Sequence, residues 1–455
     1  MDIYGLLFQK FLYPTWETGL RRRPTLLHHR ELERTQWCSL DELLALQERS
    51  LQRLLEHIWS NVPYEQHRYA RAGVGPGDIR RLSDLTKLPL LTRDEARDNL
   101  EARRSTASPL PLIDKSTSGT TGRPLAFAYD RGSEYWRQAV KIRGYSWAGY
   151  RPGDKSFHFW GSPSLQTPPL PRRVKASLDR SLRREHYVDC TERSDAALDR
   201  VVEQLERVKP KALLCYAQAG AALARYVNRN GRRGWGDLPV IAAAERLFPA
   251  DRAALVQAFG PGVFETYGNR EVMLIAAECE AHAGLHTSME NLIVELIVRD
   301  GDRQRPAEPG ELGEVALTDL HNYGAPFVRY LTGDLAVEHP HERCACGRWL
   351  KRLKTVEGRA TDTLRDGEGR PVSGLFFNIL FAYLTDRVRE FQVVQRKDGA
   401  IDLRIVPSPG FDDTLLEAIK QHAARYLPGI EIRPELLSQL VPDGGGKLRV
   451  VVVES

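Results

Sequence analysis

A short stretch rich in hydroxyl groups, STSGTTGRP at residues 116–124, offers the most distinctive chemistry in the chain. Its two glycines and one proline exclude the interior of a helix or strand. Hydroxyl groups and exposed backbone N–H groups in such a loop suit a polyphosphate, although the GK[ST] ending of a Walker loop is missing. An ordinary Gly-rich turn that binds nothing is the alternative.

Two more polar motifs lie at the ends of predicted strands. YGNRE follows the strand VFET and places an aromatic ring and a carboxylate where α/β enzymes bind ligands. A nucleotide base could lie on Tyr267, while Glu271 could help to hold Mg²⁺ on phosphate oxygens. In RYLTGDL, the carboxylate of Asp334 could accept hydrogen bonds from two ribose hydroxyls. A turn with a surface glutamate and an ordinary β-turn aspartate are the simpler explanations.

Cysteine and histidine residues form a second group. Cys344 and Cys346 are one residue apart and could face one metal ion from a turn, and Cys279 with His282 or His286 could complete a tetrahedral Cys₃His zinc site. Buried free thiols are the alternative, because unpaired cysteines are commonly buried.

Helices are predicted to dominate the first hundred residues. SLDELLALQERSLQRLLEH opens with a Ser-x-x-Glu capping box and continues with leucines at helical spacing. Ser83 and Thr92 are candidate N-caps of short helices. The opening MDIYGLLFQKFLYPTWETGLRRRP predicts a docked helix, with attachment to a membrane surface left open.

Alternating strands and helices follow. KSFHFWG, ALLCYA, LPVIAAA and GVFETYG alternate with helical stretches such as SDAALDRVVEQLERV, which predicts an α/β sheet. NLIVELIV and GELGEVALTDL predict an appended β-rich layer. The last hundred residues predict a hairpin, a helix and a strand, which together form a small α+β domain. We place the boundary in VEGRATD, so that the two domains cover residues 1–357 and 358–455.

Composition matches an ordinary globular protein. Of 455 residues, 42% are hydrophobic and 27% charged, and the net charge of +5 does not argue for a nucleic-acid partner. No run approaches the roughly 20 apolar residues of a membrane span. Six cysteines without an export signal favour the cytoplasm. The basic run at 172–184 is either a solvated helix face or a docking patch for an anionic partner.

The motifs above, with EGR at 357–359 and GGGK at 444–447, occur in an order that resembles the adenylate-forming enzymes. Within them the chain resembles the phenylacetate-CoA ligase branch and its capsule-biosynthesis-associated relatives. The resemblance runs from NVPY and LTKLPLLTRDE to the terminal lysine. It implies an α/β fold in which a large N-terminal adenylate-forming domain, with mixed sheets, flanking helices and a β-rich annex, precedes a small mobile α+β domain.

The resemblance also implies a reaction. A carboxylate attacks the α-phosphate of ATP to give an acyl adenylate and pyrophosphate, and a second nucleophile then displaces AMP. By resemblance, the departing phosphates are held by Ser118, Gly119, Thr120, Thr121 and Gly122; the adenine lies near Ala244, Glu245 and Tyr267; Asp334 binds ribose; Glu271 supports Mg²⁺; and Lys447 approaches the α-phosphate. Arg359 begins the matching hinge, about which the small domain rotates between the two steps.

The metal and acid sites follow from the same resemblance. Some members of the branch hold a structural zinc at matching positions, which favours Cys279, His286, Cys344 and Cys346 as ligands. FHFWGSP and AAAE should border the acid pocket, where Trp160 could form an aromatic wall beside His158, although either side chain could simply belong to the core. We therefore expect an acid, aromatic by preference, to be activated with ATP and Mg²⁺ and transferred to coenzyme A.

Alternatives and departures from the family pattern remain. The acceptor could be an amine or a carrier-protein thiol, the enzyme could transfer AMP to a hydroxyl group, or the chain could bind nucleotide without turnover; a homodimer is also open. Arg123 stands where the family usually has lysine, Arg270 where threonine precedes the glutamate, and Thr361 at the first acidic hinge position.

Overall fold

The computed structural model describes most of the chain. It describes residues 2–116, 125–161, 170–190, 192, 194–300, 303–359, 363–369, 371–373, 377, 381, 384, 387–441 and 450–454. Three predicted features therefore lie outside the described residues: the phosphate-binding stretch 118–122, the hinge residues 360–362 and the terminal GGGK.

The front of the chain is helical, as predicted. Its elements are α1 (Ile3–Leu7), two π-helical segments (Phe8–Leu12 and Thr15–Leu20), α2 (Thr25–Thr35), α3 (Leu40–Asn61), α4 (Pro63–Arg71), a 3₁₀ helix (Leu82–Lys87) and α5 (Arg93–Asp98). The predicted capping box of α3 is confirmed at Ser39 and Glu42. Thr92 caps α5 as predicted. The prediction of Ser83 as an N-cap is wrong. The 3₁₀ helix begins before Ser83, at Leu82, and Asp84 accepts the backbone N–H of Arg81 there.

The central part of the chain alternates strands and helices. Its strands are β1 (Leu112–Ser116), β2 (Ala126–Asp130), β3 (Ser156–Trp160), β4 (Glu185–Asp189), β5 (Ala212–Tyr216), β6 (Val240–Ala243), β7 (Val263–Asn269), β8 (Met273–Glu278), β9 (Leu285–Thr287), β10 (Leu292–Asp300), β11 (Arg303–Pro306), β12 (Leu312–Asp319), β13 (Tyr330–Glu338) and β14 (Arg352–Arg359). Its helices are α6 (Arg131–Ser146), α7 (Leu170–Arg183), α8 (Asp195–Val208), α9 (Ala217–Asn230) and α10 (Pro249–Phe259).

Twelve of these strands form one sheet in the order β11-β10-β12-β13-β14-β9-β8-β7-β6-β5-β3-β4. The strands from β4 to β7 are parallel, and the pairing becomes antiparallel between β7 and β8. The β-rich part that the sequence predicts as an appended layer thus continues the parallel sheet edge to edge. This continuity leaves β7 hydrogen-bonded on both sides, at the junction where the candidate site lies.

Both faces of the parallel strands are covered. On one face Phe157, Leu213 and Val240 pack with apolar residues of α8, α9 and α10. On the other face Leu214 and Ile241 pack with Tyr150 and, at the margin, with Tyr145 of α6. Burial on both faces explains the nearly continuous apolar runs of these strands.

A second sheet occupies the end of the chain. Its region comprises β15 (Thr363–Arg365), β16 (Pro371–Ser373), β17 (Val388–Gln395), β18 (Ile401–Pro407), α11 (Asp413–Tyr426), β19 (Ile432–Leu436) and β20 (Val451–Val453). The four-stranded order is β19-β18-β17-β20. The predicted hairpin is confirmed, with Gly399 at φ +86° in its turn. The apolar residues of this region form a hydrophobic cluster of their own, and the exact domain boundary stays a prediction.

Within the described part of the chain, no helix is both long enough and apolar enough to span a membrane.

Candidate active site

Two predicted nucleotide-binding residues are hydrogen-bonded to each other. Tyr267, near the end of β7, donates its phenolic proton to Asp334 of β13 at 2.8 Å. Tyr267 is buried, and burial together with the neighbouring Asp334 carboxylate raises its pKa well above the ordinary value. Asp334 follows Gly333, whose φ of +78° allows the strand to turn its carboxylate toward β7. The sequence motifs YGNRE and LTGDL therefore meet in space.

Glu271 lies on the turn between β7 and β8 and is buried. Its Oε1 atom accepts hydrogen bonds from Arg93 at 3.1 Å and from the Tyr330 hydroxyl at 3.2 Å. A buried carboxylate needs such partners, because an unpaired charge away from water is costly. The residue predicted to support Mg²⁺ thus has a cationic neighbour from α5, which sequence reasoning missed.

The loop after β6 carries Ala244 and Glu245, which the resemblance places near adenine. Ala244 has φ +69°, a left-handed conformation that is uncommon for a residue other than glycine. Glu245 accepts the backbone N–H of Gln218 at 3.0 Å, in the first turn of α9. The carboxylate therefore satisfies an N–H group at the positive end of that helix, a structural contact the sequence did not predict.

Arg246, the next residue, connects this loop to the end of β14. Its guanidinium lies 2.5 Å from the carboxylate of Glu357, which also accepts the Thr355 hydroxyl at 2.6 Å. Burial lowers the pKa of Arg246, against the opposing effect of Glu357. The ion pair connects the adenine-side loop to the last strand before the predicted hinge.

A cavity of about 670 Å³ lies beside β3 and α6. His158 lines it, as do Lys115 and Tyr129 from the hairpin that brackets the hydroxyl-rich stretch. His158 stacks on Tyr187 and forms a 2.9 Å hydrogen bond with Ser156, and burial lowers its pKa to about 3. A neutral His158 is therefore both a satisfied core histidine and a wall of the cavity.

Further polar groups line the same cavity. Lys141, Glu134 and Glu185 face it together with several tyrosines. Burial lowers the pKa of Lys141 and raises that of Glu185. Trp160, the predicted aromatic wall, instead lies edge-on to Tyr216, with 4.5 Å between ring centroids, and packs against the cluster beneath α8 and α9.

Cys279, His286, Cys344 and Cys346 place their ligand atoms within 4.8 Å of one another. The sulfur atoms of Cys279 and Cys344 are 3.8 Å apart. Two thiolates bound to tetrahedral Zn²⁺ at about 2.3 Å would be separated by about 3.8 Å. The cluster therefore has the donor set and the spacing that a zinc ion requires.

The structure also selects one of the two candidate histidines. His286 Nδ1 lies 3.0 Å from the carbonyl oxygen of Leu350, so Nδ1 carries the proton and leaves Nε2 for a metal. That Nε2 atom is 3.4 Å from the Cys346 sulfur. His282 is instead 3.6 Å from Glu278 and outside the cluster.

Electrostatics around Cys346 also favour a metal ligand. Burial raises the pKa of its thiol, but interactions with His286 and Arg348 outweigh burial and lower that pKa to about 6. A thiolate is the form that binds zinc.

Comparisons with known proteins bear on the whole arrangement. No protein-family model matches the chain. Phenylacetate-coenzyme A ligase of Thermus thermophilus is 26% identical over 443 residues, which cover 90% of this chain and 96% of that protein. Phenylacetate-coenzyme A ligase of Escherichia coli is 28% identical over 359 residues, covering 74% and 76% of the two chains. The predicted resemblance to this branch is confirmed.

Solved structures agree. The crystal structure of 2-hydroxyisobutyryl-CoA ligase in the postadenylation state has a TM-score of 0.72 at 20% identity, covering 93% of this chain and 92% of that chain. The chain has the adenylate-forming fold. The anthranilate CoA ligase AuaEII in complex with anthranoyl-AMP gives a TM-score of 0.52 at 18% identity, over 74% of this chain and 64% of that chain.

Several residues assigned from the adenylate-forming family stay predictions. Lys447 and residues 118–122 lie outside the described residues. For Arg359 the structure describes the backbone, which pairs with Asp334 across β14 and β13. Within the adenylate-forming fold, the predicted hinge thus begins directly beside the predicted ribose-binding residue.

Proposed function

We propose that the chain is an ATP-dependent, AMP-forming acid ligase that activates a carboxylic acid as an acyl adenylate and transfers it to coenzyme A. The similarity to phenylacetate-CoA ligases, across nearly the full length of the Thermus protein, carries the proposal. The convergence of Tyr267, Asp334 and Glu271 at the junction of the parallel and antiparallel strands supports it. Ligands commonly bind at such carboxyl ends in α/β folds.

In this proposal the nucleotide lies across the ends of β6 and β7 and beside the middle of β13. Asp334 accepts the ribose hydroxyls, with Tyr267 fixing the orientation of its carboxylate. Ala244 and Glu245 border the adenine, where the left-handed backbone at Ala244 shapes the loop. Ser118, Gly119, Thr120, Thr121 and Gly122 hold the departing phosphates.

Magnesium would neutralise phosphate charge when bound, and Glu271 is its proposed carboxylate ligand. Arg93 competes with the metal for this carboxylate, because its guanidinium lies 3.1 Å from Oε1 of Glu271. We infer that Arg93 holds Glu271 in place and keeps its buried charge compensated until the nucleotide and its metal arrive.

Lys447 and Arg359 complete the proposed machinery. Lys447 would stabilise the negative charge that grows on the α-phosphate and acyl oxygens during adenylation. Rotation of the small domain about the hinge that begins at Arg359 would then remove Lys447 and admit coenzyme A.

The acid is proposed to occupy the 670 Å³ cavity beside β3. Its volume suits a small aromatic acid with room for substituents. Lys141, Glu185 and neutral His158 provide hydrogen-bonding groups along the wall, so the acid we propose is aromatic with polar substituents.

Zinc is proposed as a structural ion held by Cys279, His286, Cys344 and Cys346. Four protein ligands leave no open position, and such closed sites stabilise a fold. Here the ion would fasten the turn at 344–347 to β8 and β9.

The experiment is pyrophosphate release from ATP and Mg²⁺ over a panel of aryl, fatty and amino acids, with and without coenzyme A. Acid-dependent release, followed by an acyl-CoA product, is expected. Transfer of the acyl group to an amine acceptor, with AMP released and without coenzyme A, would redirect the assignment to amide chemistry, and no pyrophosphate release with any acid would refute it. Asp334→Asn should depress the activity, whereas Asp195→Asn, an exposed carboxylate on α8, is the matched control.

A further inference from the structure

The helical segment Ile3–Leu20 carries its apolar side chains outward. Phe8 and Tyr13 face the protein and are buried. Seven large apolar residues are between 41% and 70% exposed: Ile3, Leu6, Leu7, Phe11, Leu12, Trp16 and Leu20. A helix docked on a protein ordinarily presents the opposite arrangement, with its polar face to water.

Helix α7 shows the same feature. Each side chain from Val174 to Leu182 is exposed. Val174, Leu178 and Leu182 recur every four residues, so they lie along one face, and they are 50% to 61% exposed. Nothing among the described residues covers this apolar stripe.

The C-terminal end of α7 contacts the helical segment Ile3–Leu20. Arg184, directly after α7, forms an ion pair with Asp2 at 2.7 Å, and the Tyr4 hydroxyl donates to the carbonyl oxygen of Leu182 at 2.6 Å. Arg183 lies over the ring of Tyr13. We name the outer face of Ile3–Leu20 and α7 the amphipathic surface.

Cations border the amphipathic surface. Five basic side chains on or next to the two helices are exposed: Lys10, Arg21, Arg22, Lys175 and Arg180. Among the described residues of the two segments, Asp179 is the exposed carboxylate, since Glu17 is buried against Arg23 and Asp2 is paired with Arg184. The surface therefore combines apolar side chains with net positive charge.

We propose that the amphipathic surface binds the surface of an anionic phospholipid membrane, with both helices lying in the plane of the headgroups. Leucine, phenylalanine and tryptophan on one face with lysine and arginine beside them is the pattern of helices that insert shallowly into this interface. The helical segment runs without a break from Ile3 to Leu20, enough to lie along the interface.

Charge distinguishes this occupant from a second copy of the chain. A two-fold dimer would place the same patch against itself and bring the two sets of cations together. An anionic lipid surface instead attracts each cation while the apolar side chains enter the acyl boundary. An anionic membrane therefore accommodates both the apolar side chains and the cations of the amphipathic surface.

The test is co-sedimentation of the full chain with vesicles of phosphatidylcholine containing phosphatidylglycerol, beside vesicles of phosphatidylcholine alone. Binding to the anionic vesicles, weakened by added salt, is expected. The double variant Phe11→Ser/Leu178→Ser should lower the vesicle partition coefficient about tenfold or more, because two large apolar side chains no longer enter the interface. The double variant Lys10→Glu/Arg180→Glu should weaken binding to the vesicles that contain phosphatidylglycerol. Its binding to vesicles of phosphatidylcholine alone should not change.

Leu436→Ser is the matched control, since Leu436 is 52% exposed on β19, outside the amphipathic surface. Because the altered residues are exposed, circular dichroism and the melting temperature should match the native chain. Failure of the native chain to bind anionic vesicles would overturn the proposal. So would equal binding by the surface variants and the control. A native dimer that Phe11→Ser/Leu178→Ser dissociates, without vesicle binding, would assign the surface to a second copy.

Discussion

The phenolic oxygen of Tyr267 lies 2.8 Å from a carboxylate oxygen of Asp334, and 67 residues separate the two along the chain. The contact joins β7 to β13, two strands that are not neighbours in the sheet. It also joins the residue proposed to border the adenine to the residue proposed to bind the ribose. Several measurable consequences follow from this contact and from its neighbours.

Tyr267→Phe removes the hydroxyl group and keeps the ring. The Asp334 carboxylate then loses the bond that orients it toward the nucleotide, so we expect ATP affinity to fall about tenfold, as for one hydrogen bond to a charged group. Isothermal titration with ATP measures this change. Tyr64→Phe, which removes the hydroxyl contact to Glu95 in the front helices, is the control. Unchanged ATP affinity in Tyr267→Phe would contradict the orienting role.

Arg93→Ala leaves the buried Glu271 carboxylate without its cation. Breaking a buried ion pair by removing one partner costs about 3 kcal/mol, and we expect a destabilisation of that order, reduced somewhat because Arg93 is partly exposed. The double variant Arg93→Ala/Glu271→Gln should recover part of the lost stability, because a neutral amide tolerates burial better. Denaturant unfolding of the single and double variants measures the coupling. Strict additivity of the two effects would argue against a direct interaction.

Purified protein that has not met a chelator should contain about one zinc ion per chain, as expected for a closed four-ligand site. Cys344→Ser should lose the metal and lower the melting temperature. Cys38→Ser should do neither, because Cys38 is a free cysteine outside the cluster. Elemental analysis of the three proteins is the measurement. A native chain with well under one zinc per molecule would exclude the site.

Glu265 makes stability depend on pH. Burial and the nearby Glu278 carboxylate raise its pKa from 4.5 to about 7. Between these two values the unfolded chain loses the proton that the folded chain keeps, so stability falls as pH rises through this window and the loss levels off above about pH 7.

Glu265→Gln stays neutral and should gain up to about 3 kcal/mol over the native chain above pH 7, with no gain below pH 4.5. Unfolding at acidic and alkaline pH measures the difference. Glu192→Gln, on an exposed side chain, is the control. A stability gain that does not depend on pH would show that the ionisation of Glu265 is not its cause.

Lys447→Ala should reduce acid-dependent pyrophosphate release by about 100-fold or more, as for loss of a group that stabilises transition-state charge. ATP affinity should change much less, since the effect lies in the reaction rather than in ground-state binding. Lys397→Ala, in the hairpin of the small sheet, is the control. Equal turnover by native and Lys447→Ala protein would remove Lys447 from the mechanism.

Local patterns predicted much of the fold. The capping box at Ser39, the strand SFHFW and the hairpin at Gly399 depend on residues close in sequence, and each is confirmed. The continuity of the antiparallel strands with the parallel sheet was not predictable, because it depends on β7 pairing with both β6 and β8. The N-cap prediction at Ser83 is wrong because the 3₁₀ helix already begins at Leu82, where Asp84 accepts the backbone N–H groups of Arg80 and Arg81.

The candidate site likewise contains residues that the sequence predicted and residues that it did not. Tyr267, Glu271 and Asp334 stand in motifs whose residue types indicate their chemistry. Arg93, the partner of Glu271, carries no such signal, since an arginine after a helix cap is common. The resemblance favoured His286 over His282, and the structure agrees, with His286 in the cluster and its Nδ1 held by the carbonyl of Leu350, 64 residues away.

The contacts that anchor the first helix also constrain the order of folding. Tyr4 and Asp2 find Leu182 and Arg184 at sequence separations of 178 and 182 residues. During synthesis, the helix therefore emerges long before its docking partners exist, and contacts at such separation form late. Until residues 182 and 184 are made, Tyr4 and Asp2 lack these two partners, so a chain that stalls earlier would leave the start of that helix without these anchoring contacts.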